Sequence, residues 1–251
     1  MPRWRQDNDL WLLQPDGEPR GLIEFIGGSY LAATPQLSYR RLLDTLAGRG
    51  WCIHAWSYVP GFDHQSQANE AWRRFRQRRD PGERPLRLGH SLGCKLHLLA
   101  PDGGRGCDGL VALSFNNFSA ERSVPLLAEL GQQFNFRSEF SPSPQETLEQ
   151  VSRSYNQPRN LLVRFDRDGI DQSRRLLAVL QARPHDRSQL VELPGDHLSP
   201  ASAGLRRTLI DLPLCSRALC DWSLSPPPAL DRRRQPLHPS LAAGVVCPVA
   251  Q

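Results

Sequence analysis

The sequence lacks a long apolar run, since no stretch approaches the roughly 18 consecutive apolar residues of a membrane-spanning helix. It also lacks an apolar segment after its basic first residues, so the start does not resemble a secretory signal. Hydrophobic residues make up 39% of the chain and charged residues 23%, which is typical of a globular domain. We therefore expect a cytoplasmic location, or an organelle equivalent such as the plastid stroma.

The cysteines do not have the spacing of a metal site. The six cysteines form no C-x-x-C pair and no cluster with zinc-ligand spacing. Free thiols in a reducing compartment are the favoured interpretation, with a disulfide between Cys215 and Cys220 left open. No motif for a nucleotide, a flavin or a metal is present, so we expect no cofactor and no metal.

Acidic residues are outnumbered by basic ones, which leaves a net charge of +5. Much of the excess lies in one predicted helix, which carries Arg73, Arg74, Arg76, Arg78 and Arg79. A solvated helix face is the favoured interpretation of such a run. Peripheral contact with an anionic membrane through Arg73–Arg79 is the alternative. No nucleic-acid-binding signature accompanies the run, so nucleic acid is not an expected partner.

Apolar strands alternate with helical segments along most of the chain. The predicted strands are residues 10–13, 21–26, 51–56, 85–88, 109–115, 161–165 and 189–193. The first two are predicted to form a β-hairpin, and the remaining alternation predicts an α/β fold with a mostly parallel central sheet and helices on both faces. We expect one domain over residues 8–222, with a small helical cap insertion at about 116–160. Its composition predicts that the tail at 223–251 is disordered.

The clearest motif is Gly89-His90-Ser91-Leu92-Gly93. In a nucleophile elbow the serine lies at the tip of a tight strand-to-helix turn, and the flanking glycines leave room for that turn to pack. The pentapeptide is short, and a plain surface turn is the alternative. A predicted strand before Gly89 and an apolar helix after Ser91 favour the elbow. We therefore predict an α/β-hydrolase fold with Ser91 as its nucleophile.

A serine nucleophile needs a base and an orienting acid, and in this fold they follow the serine in the order acid, then histidine. The histidines after the elbow helix are His185, His197 and His238. We favour His197 because it follows a predicted strand, at the sheet edge where open parallel sheets bind ligands. A hydrogen-bonded loop histidine is the alternative. The acid is expected after the preceding strand, with Asp168 as first candidate, Asp171 second and Asp166 last.

The oxyanion hole is expected to combine two backbone N–H groups. One is that of Leu92, which directly follows the nucleophile, and the other is that of Gly28 or Ser29. These two residues lie in a glycine-rich turn after the strand at 21–26, and glycine lets the backbone approach a substrate oxygen closely. A tight turn without a catalytic role is an equal alternative.

The substrate pocket is expected to include Asp63, His64, His90 and Phe118. Asp63 and His64 follow the strand at 51–56 and lie on the same rim as the elbow, although a structural role is the favoured interpretation for both. The cap insertion carries an apolar group, Phe134, Phe136 and Phe140. Such a lid suggests a lipophilic acyl substrate, and a helical connection that only packs on the sheet is the alternative.

Several stretches together resemble a known family. They are Phe25-Ile26-Gly27-Gly28, Pro35-Gln36-Leu37-Ser38-Tyr39, Phe62-Asp63-His64-Gln65, Gly89-His90-Ser91-Leu92-Gly93-Cys94-Lys95-Leu96-His97, Ser114-Phe115-Asn116-Asn117-Phe118, Phe140-Ser141-Pro142-Ser143-Pro144, Ile170-Asp171-Gln172-Ser173 and Gly195-Asp196-His197. From about residue 11 to 210 the chain is similar to the uncharacterised domain-of-unknown-function 1350 family of cyanobacteria and plastids. The resemblance implies an α/β-hydrolase-like fold and implies no substrate.

The favoured function is that of a serine hydrolase acting on a carboxylic ester or thioester. Ser91 would attack the carbonyl, His197 would carry the proton, and Asp168 would orient His197. A non-catalytic binding or assembly factor on the same scaffold is the second hypothesis, because a fold does not determine a function. Recruitment to anionic membranes through the arginine helix is the third.

Overall fold

A computed structural model describes residues 3–123, 139–201 and 222. These residues contain a sheet of eight strands, in good agreement with the sequence pattern. The strands are β1 (Trp4–Asp7), β2 (Leu10–Leu13), β3 (Gly21–Ile26), β4 (Trp51–Trp56), β5 (Leu86–His90), β6 (Gly109–Leu113), β7 (Asn160–Phe165) and β8 (Gln189–Leu193). The first strand begins before the predicted domain start at residue 8, and the predicted tail at 223–251 lies outside the described residues.

The order of strands in the sheet is β1-β2-β4-β3-β5-β6-β7-β8. Strands β3 to β8 run parallel, whereas β1 and β2 are antiparallel to their neighbours. The predicted hairpin between 10–13 and 21–26 is wrong, because β4 lies between these strands and pairs with both. The true hairpin joins β1 to β2 through a turn in which Asn8 has a φ of 54°.

Seven helices are described, together with a 3-10 turn over Ser29–Leu31. They are α1 (Pro35–Ser38), α2 (Arg40–Ala47), α3 (His64–Arg78), α4 (Leu92–Leu98), α5 (Ala120–Ser123), α6 (Pro144–Ser154) and α7 (Ser173–Gln181). The helical segment after Thr34 is divided into α1 and α2 at Tyr39, whose backbone leaves the helical region. The side chain of Tyr39 is fully buried and packs edge-on against Phe25 of β3.

Alternate residues of the inner strands enter two separate apolar layers, as the period of two in a strand requires. On β6, Val111 and Leu113 enter the layer under α2, whereas Leu110 and Ala112 enter the opposite layer with α6 and α7. Helices α3 and α4 complete that second side. Helices therefore cover both faces, and the loops after the parallel strands meet at one edge of the sheet, where ligands of open parallel sheets bind.

Only part of the predicted cap is described. Helix α5, the segment from residue 139 and helix α6 lie within 116–160, and α6 begins with a capping box between Ser143 and Glu146. Phe134 and Phe136 of the expected lid lie outside the described residues, whereas Phe140 is described.

Candidate active site

Ser91 lies at the junction of β5 and α4 with a φ of 53°, in the left-handed region that non-glycine residues rarely adopt. The two glycines of the motif are sterically required. A Cβ on Gly93 would lie 2.0 Å from the carbonyl oxygen of Ile26, and a Cβ on Gly89 would lie 2.6 Å from the backbone nitrogen of Cys94. The strained serine and the close backbone packing are the geometry expected of a nucleophile elbow.

Ser91, His197 and Asp168 lie in one chain of hydrogen bonds. The distance from His197 Nε2 to Ser91 Oγ is 3.1 Å, and the distance from His197 Nδ1 to Asp168 Oδ2 is 2.8 Å. A carboxylate only accepts, so the Nδ1–H of a neutral His197 donates to Asp168. Nε2 then carries a lone pair, which accepts the hydroxyl proton of Ser91.

The loops that carry the acid and the base are bound to each other. Asp166 follows β7 and accepts the N–H of Gly195, which precedes His197, at 2.9 Å. The N–H of Arg167 donates to the carbonyl of Gly195 at 2.9 Å. Asp166, the last of the three acid candidates, therefore holds the two loops together and is not bonded to His197.

The two leading acid candidates have different partners. Asp168 is 6% exposed; besides His197 it accepts the N–H of Ile170 at 3.0 Å. Asp171 instead accepts the N–H and the hydroxyl of Ser173, at 3.0 and 2.7 Å, at the start of α7. Burial alone would raise the pKa of Asp168, but the hydrogen bond and charge of His197 hold it below its ordinary value.

The oxyanion loop is connected to the elbow by a buried tyrosine. The N–H of Gly28 donates to the hydroxyl of Tyr39 at 2.8 Å, and that hydroxyl lies 2.8 Å from Nδ1 of His90. Because the N–H of Gly28 is already bonded to Tyr39, the N–H of Ser29 is the better candidate for the second donor of the oxyanion hole, beside the N–H of Leu92. Ser29 opens the 3-10 turn after Gly28, and the first N–H groups of such a turn have no partner within it.

His90 extends this connection to the loop of the base. Its Nε2 lies 2.9 Å from the backbone carbonyl of His197, which only accepts, so Nε2 carries the proton and Nδ1 accepts from Tyr39. Burial, and then the charge of His197, lower the pKa of His90 to about 3, so it stays neutral at pH 7. A chain of hydrogen bonds thus runs from Gly28 to His197 beneath the nucleophile.

A cavity of about 470 Å³ opens above Ser91. Gly28, Ser29, Leu92 and His197 line it, as do three of the four predicted pocket residues, His64, His90 and Phe118. The fourth, Asp63, is not among the residues that line the cavity, and its place in the pocket stays a prediction. Its carboxylate accepts the N–H of Ser66 at 2.8 Å and caps α3.

Sequence reasoning missed two residues of the site. Nothing in the local sequence indicates the contact of Tyr39 with His90, 51 positions away. Lys95 also lines the cavity, one helical turn after Ser91. Its spacing of four residues from the nucleophile, as the single lysine of the chain, is the signal that could have identified it.

The arginine run lies on α3 and the residue that follows it, and most of its charge is paired within the protein. Arg73 and Arg74 bond to Glu70, Arg78 bonds to Asp7, and Arg79 contacts the buried Glu24. Membrane contact through this surface stays a prediction. In the described part of the chain, no helix is long and apolar enough to cross a membrane.

Within that same part of the chain, no three His, Cys, Asp or Glu side chains come together as a ligand set for a metal. The three buried cysteines described there, Cys52, Cys94 and Cys107, are free thiols. Cys94 lies on the first turn of α4, but burial raises the pKa of its thiol well above the ordinary value. It is therefore not an activated nucleophile.

Comparison with solved structures identifies the fold. A monoacylglycerol lipase from Paleococcus ferrophilus has a TM-score of 0.60 at 14% identity, with 85% of this chain and 97% of that chain covered. An esterase from Thermogutta terrifontis has a TM-score of 0.59 at 17% identity, over 89% and 93%. FphF, a fluorophosphonate-binding serine hydrolase from Staphylococcus aureus, has a TM-score of 0.59 at 15% identity, over 88% and 97%. The predicted α/β-hydrolase fold is confirmed.

Sequence comparison gives one assignment. The family model described as "Protein of unknown function (DUF1350)" matches residues 3–211. This range extends slightly beyond both ends of the resemblance seen in the motifs. No curated protein matches the sequence.

Proposed function

We propose that this chain, which belongs to the DUF1350 family, is a serine hydrolase that cleaves carboxylic esters or thioesters. One observation carries the proposal. The strained Ser91 is bonded to His197, and His197 to Asp168, at the floor of a cavity large enough for a small ester. Three similar solved structures are a lipase, an esterase and a serine hydrolase, which adds support.

In the proposed mechanism Ser91 Oγ attacks the carbonyl carbon, and its proton moves to His197 Nε2. The carbonyl oxygen becomes an oxyanion, which accepts from the N–H groups of Leu92 and Ser29. As this intermediate collapses, the imidazolium of His197 protonates the leaving alcohol or thiol, and an acyl-enzyme on Ser91 remains. Water then attacks the acyl-enzyme with His197 as its base. The bond between the acyl carbon and Ser91 Oγ breaks, Oγ takes the proton back from His197, and the free acid leaves.

Asp168 has two tasks in this mechanism. Its hydrogen bond to Nδ1 keeps the lone pair of His197 on Nε2, which faces Ser91. Its negative charge stabilises the imidazolium that forms during each proton transfer. The depressed pKa of Asp168 supports this role, because the carboxylate stays ionised at any pH at which the enzyme would work.

The walls of the cavity favour a substrate with an apolar body. Phe118, Phe140, Ile170 and Leu198 contribute to its lining. Ile170 and Leu198 are also partly exposed, so they form an apolar rim at the entrance. We propose that the region around 116–160 acts as the cap of a single catalytic domain, with Phe118 and Phe140 as its contribution to the pocket.

The test is turnover of p-nitrophenyl esters and of acyl thioesters with graded chain lengths, by wild type and by Ser91→Ala. Alanine adopts the positive φ as readily as serine, so the variant keeps the same backbone strain and its fold is checked by thermal unfolding. We expect turnover to fall to the rate of the uncatalysed reaction. A well-folded Ser91→Ala protein with wild-type turnover would show that another group is the nucleophile.

A further inference from the structure

Almost all basic residues of this chain are arginines. Of its 31 lysines and arginines, only one is a lysine, Lys95. That residue lies on α4, four positions after Ser91, and lines the cavity. Four residues advance a helix by about 6 Å, and side chains tilt toward the helix N-terminus, so Lys95 projects from the turn that follows the nucleophile.

Lys95 is buried without a direct counter-ion. The residue is 1% exposed, and its Nζ donates to the carbonyl of Pro142 at 3.0 Å and lies over the ring of Phe140. Among the described residues, no carboxylate lies within ion-pair distance of Nζ. Burial lowers the pKa of Lys95 to about 8, so most of it is still charged at pH 7.

The two carboxylates whose charges act most on the pKa of Lys95 accept hydrogen bonds from other groups. Glu139 accepts the N–H of Ala120 at 2.9 Å and that of Phe140 at 2.7 Å. Glu146 accepts the N–H of Ser143 at 2.8 Å, within the capping box of α6. Burying a cation whose only hydrogen-bond acceptor is a carbonyl costs free energy, and such groups are concentrated at functional sites.

Two further polar atoms beside the cavity have no hydrogen-bond partner within the described residues. They are Nδ1 of His64 and Oδ1 of Asn117, and both side chains are buried and contribute to the lining. Burial, and then the charge of Lys95, lower the pKa of His64 to about 3, so His64 is a neutral group in the cavity. The cavity therefore offers an ammonium group and a neutral imidazole in addition to its apolar walls.

We propose that Lys95 binds a terminal carboxylate of the substrate, with His64 beside it, so that the preferred substrates are half-esters or half-thioesters of short dicarboxylic acids. The proposal rests on the proposed hydrolase function and specifies its substrate class. The carboxylate supplies the missing counter-ion, and the apolar walls take the methylene groups between the two carbonyl carbons. A monoanion matches the single buried positive charge, whereas a phosphate dianion would leave one negative charge unpaired.

The kinetic test compares two substrates of similar shape, p-nitrophenyl hydrogen glutarate and p-nitrophenyl pentanoate. We expect wild type to have the higher kcat/KM for the anionic ester. Lys95→Met should reduce kcat/KM for that ester by about 10- to 100-fold, the usual effect of losing a charged hydrogen bond, and change the neutral ester little. Arg153→Met, at an exposed cation of α6, is the control and should leave the ratio unchanged. Equal losses for both esters in Lys95→Met would overturn the proposal.

A binding test separates this proposal from the hydrolase function. Because Lys95 is the only lysine, protein labelled with ¹³C at lysine Cε gives one lysine signal. In Ser91→Ala we expect monomethyl glutarate, a half-ester monoanion, to shift this signal and raise the pKa of Lys95, while methyl pentanoate has no effect and inorganic phosphate binds more weakly than monomethyl glutarate. If monomethyl glutarate has no effect, or phosphate binds more tightly, the carboxylate site is refuted, whatever the fate of the hydrolase proposal. If monomethyl glutarate binds but no ester is hydrolysed, the hydrolase proposal fails and the carboxylate site stands.

Discussion

Replacing Asp168 with asparagine should remove activity through the protonation state of His197. In the structure Asp168 accepts twice, from the N–H of Ile170 at 3.0 Å and from His197 at 2.8 Å. An asparagine has only one acceptor oxygen, and Ile170 is a fixed backbone donor. The amide NH₂ therefore faces Nδ1 of His197 and donates to it, which moves the proton of neutral His197 to Nε2. That nitrogen then cannot accept the proton of Ser91.

The expected loss is about 10,000-fold in kcat, the size of the effect of the same change in a known Ser-His-Asp protease, or about 5.4 kcal/mol of activation free energy. Turnover of a p-nitrophenyl ester measures it, and the second-order rate of fluorophosphonate labelling measures it without knowledge of the natural substrate. Both rates should fall together, because both depend on the nucleophilicity of Ser91.

Asp171→Asn is the matched control. Asp171 bonds to Ser173 at the start of α7, so its loss should lower the free energy of unfolding by about 1 kcal/mol and change kcat less than threefold. If Asp168→Asn, correctly folded, keeps a tenth or more of wild-type activity, or if Asp171→Asn is the variant that loses it, Asp168 does not set the protonation state of His197.

Other predictions concern the scaffold of the site. Gly93→Ala should lower the free energy of unfolding by about 3 kcal/mol, because its Cβ would lie 2.0 Å from the carbonyl oxygen of Ile26. Gly169→Ala, where a Cβ would meet open space, is the control and should change the free energy of unfolding by less than about 0.5 kcal/mol. Urea unfolding measures both. Tyr39→Phe removes two buried hydrogen bonds, so it should cost about 1–3 kcal/mol and slow fluorophosphonate labelling at constant pH. Burial lowers the pKa of His97 from 6.5 to about 3, so the unfolded chain binds a proton at this residue more readily than the folded protein. The contribution of His97 to the free energy of unfolding is therefore complete above pH 6.5 and is lost as the pH falls toward 3. In urea unfolding, His97→Asn should make the free energy of unfolding fall less steeply over this pH range.

The features that follow from local sequence were predictable. Steric rules for a strand-to-helix turn identify the elbow around Ser91, and chain order narrows the base to a few histidines. The choice between Asp168 and Asp171 was harder, because both follow β7 and both are ordinary turn residues. Only the fold shows that the carboxylate of Asp168 faces His197 while that of Asp171 faces Ser173.

The features that depend on long-range contacts were not predictable. The run at Leu10–Leu13 has the composition of a strand, but its partner is β4 and not the strand that follows it in sequence. The role of Tyr39 depends on a hydroxyl contact with His90, which no spacing rule gives. The position of Asp63 on the rim favours a place in the pocket. Its carboxylate instead caps the next helix, α3, which is a common role for an aspartate at that position.

The proposed mechanism depends on the activation of Ser91 by His197. Fluorophosphonate labelling of wild type, Ser91→Ala and His197→Ala, with the adduct located by mass spectrometry, measures this activation. We expect one adduct on wild type, at Ser91, and none on either variant. No labelling of well-folded wild-type protein, or an adduct elsewhere, would show that Ser91 is not an activated nucleophile and would favour a non-catalytic binding factor built on the same fold.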